Sequence, residues 1–184
     1  MHEKINILLD LDNTLISSLS KEEEKNIHKP RMKKFRWESM ENVYKVFERP
    51  GLQPFLDFLF SHFNVSIWTA ASKSYALFII DKFILDNHPE RVLDYIFFSH
   101  HCKRSNKIKK TQKSIEILKD HFKLHEYSRS NTYIIDDHPE VFKCQPDNCI
   151  QIKPFEFTDR QSYNDTELIR TIKPKLETIL SQHS

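Results

Sequence analysis

The chain opens with a short apolar run at residues 5–9 that stops abruptly at Asp10. A run this short and rich in Ile and Leu reads as a strand buried on both faces, the kind found in parallel sheets. Similar runs recur at residues 65–69, 95–98, 132–135 and 149–152. Between them the apolar positions follow a helical period. After Arg49, Pro50 and Gly51 come Leu52, Phe55, Leu56, Leu59 and Phe63. Residues 75–85 form an apolar helix that stops before Pro89, and 114–122 read as another. A last helix spans 165–180, with Leu168, Ile172, Leu176 and Leu180 on one stripe and Pro174 as an interruption. Two segments depart from the alternation. Residues 20–34 are the most charged part of the chain and read as a solvated loop or short surface helix. Residues 35–37 and 43–47 alternate around Ser39, Met40, Glu41 and Asn42, a hairpin signal. Strands alternating with helices predict an α/β protein: a three-layer, Rossmann-like arrangement with a central, mostly parallel sheet and helices on both faces. No internal repeat or low-complexity linker interrupts it. A length of 184 residues, against about 150 for a typical domain, predicts a single domain over residues 1–184.

Composition narrows the chemistry. There is one glycine, Gly51. A phosphate-cradling Walker loop and a dinucleotide fingerprint each need more than one, because their backbone must approach phosphate closely. Both are excluded by counting, so any phosphate chemistry must use side chains, a metal and non-glycine backbone. The three cysteines, Cys102, Cys144 and Cys149, have no CxxC spacing, which excludes a zinc ribbon or a thioredoxin-type pair. Lys and Arg total 28 against 26 Asp and Glu, a net charge of +2 that is too balanced for a nucleic-acid coat. The longest uncharged stretch, residues 58–72, is too short and too polar to span a bilayer. The apolar run before Asp10 is too short for the core of a secretory signal, and the odd cysteine count favours a reducing compartment. A soluble intracellular protein of nucleus or cytoplasm, monomeric and without membrane partners, is the expectation.

In parallel sheets, sites form at the carboxyl ends of strands. Three predicted strands end in reactive residues: the first in Asp10 and Asp12, the second in Thr69, the fourth in Asp136 and Asp137. Four carboxylates at one sheet edge repel one another unless a cation sits among them. Hard oxygen ligands suit Mg²⁺. A carboxylate beside Mg²⁺ and a lysine is equipped to attack phosphorus, which makes Asp10 a nucleophile that forms an aspartyl-phosphate. Asp12, just past the strand end, is placed to protonate the leaving alkoxide and later to deprotonate water. Lysines and one arginine lie between the third and fourth strands: Lys103, Arg104, Lys107, Lys109, Lys110 and Lys113.

The string LLDLDNTL at 8–15 resembles the first motif of the haloacid-dehalogenase-like (HAD-like) phosphatases, an apolar run followed by DxDx(T/V). Within that superfamily the chain resembles the RNA polymerase II C-terminal-domain (CTD) phosphatases, the NLI-interacting-factor-like group. The matching pieces come in family order: DLDNTL at 10–15, RPG at 49–51, IWTAAS at 67–72, YA at 75–76, IIDDHP at 134–139 and NCIQI at 148–152, followed by Asp165, Glu167 and Leu168. The resemblance implies a HAD-like fold with a small or minimal cap. It also implies Asp10 as nucleophile and metal ligand, and Asp12 as general acid and base whose backbone carbonyl meets the metal. Asp136 and Asp137 complete the Mg²⁺ site, with Asp137 touching the ion. Thr69 and neighbouring amides, including that of Ala70, hold phosphoryl oxygens, with Thr14 and Lys110 also on the substrate side. The site lysine is Lys113, since KSIEIL at 113–118 resembles the family's KDLxxL, with Lys110 as runner-up. Asn13, Ala71, Asp137 and His138 depart from the usual family residues, and no glycine precedes the lysine.

The expected activity is Mg²⁺-dependent hydrolysis of phosphoserine or phosphothreonine in a protein or peptide substrate, a phosphoric monoester hydrolase. Two alternatives share the core: a nucleic-acid or nucleotide phosphatase using the 103–113 basic stretch, and a binding protein resembling the family's mitochondrial import-receptor member. Retention of Asp10 and Asp12 argues against the latter. His100, His101 and Cys102 lack paired metal-ligand spacing, and His121 and His125 lack the glutamate of a zinc-protease helix.

Overall fold

A computed structural model describes residues 4–27 and 29–183; His28, inside the charged 20–34 segment, lies outside the described residues. In chain order the elements are β1 (Asn6–Leu9), β2 (Ile16–Ser20), α1 (Lys21–Glu24), α2 (Lys29–Met32), β3 (Trp37–Met40), β4 (Tyr44–Glu48) and α3 (Leu52–His62). There follow β5 (Asn64–Trp68), α4 (Lys73–Ile79), β6 (Leu93–Phe97), α5 (Ser99–Lys109), α6 (Glu116–Asp120), β7 (Thr132–Asp136), α7 (Pro139–Cys144), β8 (Cys149–Gln151) and α8 (Lys173–His183).

The five expected buried strands form one sheet in the order β6-β5-β1-β7-β8, every pairing parallel. These strands do not follow a strict apolar–polar alternation because both faces of the sheet are covered. Ile7 and Leu9 of β1 join a cluster with Phe55 and Leu59 of α3, Ile80, Phe83 and Leu176. Leu8, between them, points the other way into a cluster with Trp68, Leu118, Ile134 and Val141. Because β1 lies between β5 and β7, with Leu9 opposite both Ile67 and Ile135, the ends of these three strands meet at one edge. The α/β fold is therefore as expected, and no helix among the described residues is long and apolar enough to cross a membrane.

The second sheet was only half foreseen. β2, β4 and β3 form a three-stranded antiparallel sheet inserted between β1 and α3. The expected hairpin exists, but its strand runs through Ser39 and Met40, which the sequence reading assigned to the turn. Glu41 and Asn42 make the turn instead, both at positive φ (+47° and +56°), a geometry that tightens a hairpin. β2 carries little strand signal in the sequence because three of its five residues are serines. The sheet docks through Phe47, whose ring stacks on Phe157 at 3.7 Å, with Leu19 and Met32 alongside.

Helix limits also shift. The helix expected over 114–122 is confined to α6, so Lys113 lies in the loop before it. The helix expected at 75–85 begins at Lys73, capped by Ser72, and ends in a π-helical turn at Ile80–Ile84. The C-terminal helix starts with another π turn at Leu168–Ile172. That turn shifts the hydrogen-bond step just ahead of Pro174, which has no amide to give, so the proline does not break the helix. α5, which carries most of the basic stretch, is a helix in which only Cys102 and Ser105 are buried.

Candidate active site

Asp10 follows β1, Thr69 follows β5, and Asp136 ends β7 with Asp137 next. The loop before α6 adds Lys113 to this edge. Its Nζ donates at 2.6 Å to Asp10 Oδ1 and at 2.6 Å to Asp136 Oδ2. Lys113 is 3% exposed, and Ser105, Gln145 and the buried Ile115 hold its loop: Ser105 Oγ accepts from Ser114 N–H, and Gln145 Nε2 donates to the Lys113 carbonyl. Of the two candidate lysines, Lys113 is the one the fold brings to the acids. Lys110 is exposed at the left-handed end of α5 (φ +60°), beside an open cleft it shares with His138.

The carboxylates are tightly grouped. Ligand oxygens of Asp10, Asp136 and Asp137 lie within 4.8 Å of one another. Thr14 is fully buried; its hydroxyl sits 3.2 Å from Asp10 Oδ2 and 3.4 Å from Asp137 Oδ1, and its single proton serves one of them at a time. Both oxygens of Asp136 are occupied, one by Lys113 and one by the His138 N–H at 2.8 Å. Each of the three acids contributes a carboxylate oxygen to this group. An all-oxygen, carboxylate-rich donor set of this kind fits Mg²⁺. Burial pushes the Asp10 carboxyl up to about 7 against the pull of Lys113, with Asp136 adding to the rise. Burial also raises Asp137, and Asp136 beside it acts in the same direction. For Lys113 burial works toward the neutral amine, but Asp10 and Asp136 outweigh it and keep the group charged.

Asp12 stands outside this carboxylate cluster. It lies in the turn after β1, ahead of Asn13, which has φ +59°. Its Oδ1 accepts a 2.6 Å hydrogen bond from the Tyr75 hydroxyl of α4. Burial raises the Asp12 carboxyl, and the Tyr75 bond partly offsets that. Thr69 is 1% exposed, and its Oγ accepts from the Ala71 N–H at 3.0 Å, which leaves its own proton to donate outward. Ala70, beside it, is exposed. Two open clefts lie near Asp137 and His138. One, of about 660 Å³, runs from Asp137 along the free edge of β8 past Lys153, Pro154 and Lys175. The other, of about 360 Å³, lies between Lys110, Thr111 and His138.

Two residues had no chemical role in the sequence reading. Arg49, fully buried, donates to the Thr14 carbonyl, to the Lys153 carbonyl and through two nitrogens to the Asp165 carboxylate. It ties the turn holding Asp12 to the C-terminal segment, which explains why RPG and Asp165 occur together. Tyr75 stands in the sequence as the first residue of an apolar helix and in the YA piece at 75–76, and no local pattern links it to an acid in a turn 63 positions earlier.

The chain resembles known proteins along its whole length. It is 45% identical over 183 residues to the CTD phosphatase-like protein 355R of Invertebrate iridescent virus 6, covering 97% of this chain and 98% of that protein. With the protein of the same name in Invertebrate iridescent virus 3 it shares 41% identity over 179 residues, covering 94% and 95%. Among solved structures, Fcp1, an essential RNA polymerase II CTD phosphatase, superposes with a TM-score of 0.60 at 21% identity, over 100% of this chain and 50% of that one; this likeness concerns the fold. The sequence profile of the NLI interacting factor-like phosphatases matches residues 5–184, and with the parallel sheet and its acidic edge this places the chain in that family.

Proposed function

We propose that this protein is a Mg²⁺-dependent phosphatase that removes phosphate from phosphoserine or phosphothreonine in a protein segment through an aspartyl-phosphate. The observation that carries the reading is the convergence of Asp10, Lys113, Asp136 and Asp137, with Asp12 and Thr69 at the same strand ends. An Asp10 carboxylate oxygen attacks phosphorus, and the bond from phosphorus to the seryl or threonyl oxygen breaks. Asp12 gives its proton to the departing oxygen. Asp12 then takes a proton from water, the water oxygen attacks phosphorus, and the bond to Asp10 breaks to release phosphate. Lys113 balances the negative charge of Asp10 and of the incoming phosphate, while Thr69 Oγ–H and the Ala70 N–H receive phosphoryl oxygens. Mg²⁺ held by Asp10, Asp136 and Asp137 would supply the further neutralisation of the phosphoryl oxygens.

The open cleft that begins at Asp137 supports an extended polypeptide substrate over a small sugar phosphate. The nucleic-acid alternative loses support because the basic stretch is partly committed. Lys113 is buried among acids, Lys109 pairs with Glu116 and Asp120, and Arg104 donates to His121. Purified protein should hydrolyse a generic aryl phosphate with Mg²⁺, and Asp10→Asn should abolish this. Activity that survives the substitution removes Asp10 as nucleophile. Phosphopeptides should be turned over in preference to 3′-phosphorylated oligonucleotides; the reverse order, with a steep salt dependence, would favour nucleic acid.

A further inference from the structure

Asp12 sits in a turn, and Tyr75 is its side-chain partner among the described residues. A carboxyl on a turn can rotate about two torsions, and a general acid works only when its proton faces the departing oxygen. Tyr75 removes that freedom. Its hydroxyl has one proton, which it donates to Asp12 Oδ1 at 2.6 Å. Oδ1 is then an acceptor, so the proton that Asp12 transfers must be carried on Oδ2. Tyr75 itself is fixed from two sides. Its backbone N–H is held by Ser72 at the start of α4, in the same short segment that presents Thr69. Its ring meets the edge of Tyr44 on β4, with centroids 5.5 Å apart and an interplanar angle of 78°.

We infer that Tyr75 is a positioning residue for Asp12: it fixes the carboxyl rotamer and assigns the transferable proton to Oδ2, and Tyr44 makes the small antiparallel sheet part of that device. The assignment of proton transfer to Asp12 rests on the phosphatase reading above; the hydrogen bond and ring contact do not.

The test compares leaving groups. A seryl alkoxide needs its proton from Asp12, whereas an activated aryl oxide departs without one. Tyr75→Phe should lower kcat/KM on a phosphoserine peptide by about 10–100-fold, the cost of a misplaced catalytic group. The fall on an activated aryl phosphate should be less than about 3-fold. In an Asp12→Ala background, Tyr75→Phe should add no further loss. Tyr44→Leu should show a weaker form of the same leaving-group dependence, and Tyr44→Phe, which keeps the ring, should restore it. Equal losses on both substrates, or a further loss in the Asp12→Ala background, would overturn the inference and make Tyr75 a substrate contact. A second measurement is independent of turnover: the urea-unfolding midpoints of Tyr75→Phe, Asp12→Ala and the double variant. Non-additive midpoints are expected from a direct pair, and additive ones would overturn the inference. Wild-type protein that hydrolyses no phosphomonoester would overturn the phosphatase reading and the proton assignment with it, and the unfolding cycle would still decide whether Tyr75 holds the Asp12 carboxyl.

Discussion

The ammonium of Lys113 lies 2.6 Å from Asp10 and 2.6 Å from Asp136, nearly out of reach of water. Removing one partner from a buried charge group leaves the others uncompensated, at a cost of about 3–5 kcal/mol. Lys113→Met should therefore lower the unfolding free energy by about that amount in urea denaturation, besides abolishing turnover. A loss under about 1 kcal/mol would mean that the acids are neutralised by something else. Which of Lys110 and Lys113 belongs to the acids was only weakly legible in the chain. Both lie in one basic stretch, and the difference is made by Lys110 ending α5 in a left-handed turn while the next three residues lead the chain inward.

Elements impose their own constraints. Gly51 opens α3 at φ +81°, and a Cβ there would lie 2.9 Å from Ile169 Cγ1. Gly51→Ala combines a left-handed conformation with a side-chain contact that must give way, so a loss of about 1–2 kcal/mol is expected in chemical denaturation. Pairing it with Ile169→Ala should recover the contact part and leave the backbone part. The small sheet depends on the Phe47–Phe157 stack at 3.7 Å. Phe157→Ala should cost about 3–5 kcal/mol as a large-to-small change in a buried cluster. Hydrogen exchange should then accelerate in β2, β3 and β4 before it does in the parallel sheet. The central strands were legible as apolar runs because both faces are buried. β2 and α5 were not, since a serine-rich strand covered on one side and a cation-rich helix with two buried residues carry little periodic signal.

Across the whole molecule, neutralisation of the acidic edge does not depend on metal alone, because Lys113 already sits between Asp10 and Asp136. Metal-free protein is expected to stay folded, with Mg²⁺ raising its Tm; at a hundred times its Kd the ion adds about 2.7 kcal/mol. Asp137→Asn should remove most of that rise, measured by thermal unfolding with and without Mg²⁺. A rise unchanged in the variant would place the ion elsewhere. The order of apolar runs and helical stripes was enough to specify an α/β protein with reactive residues after its first, second and fourth strands, because local hydrophobic period and strand-end acids are written in neighbouring residues. The strand order that sets β1 between β5 and β7, the inward turn of Lys113, the Arg49–Asp165 tie and the Tyr75–Asp12 bond came from packing. These contacts join residues 23 to 126 positions apart, and no window along the chain is wide enough to contain them.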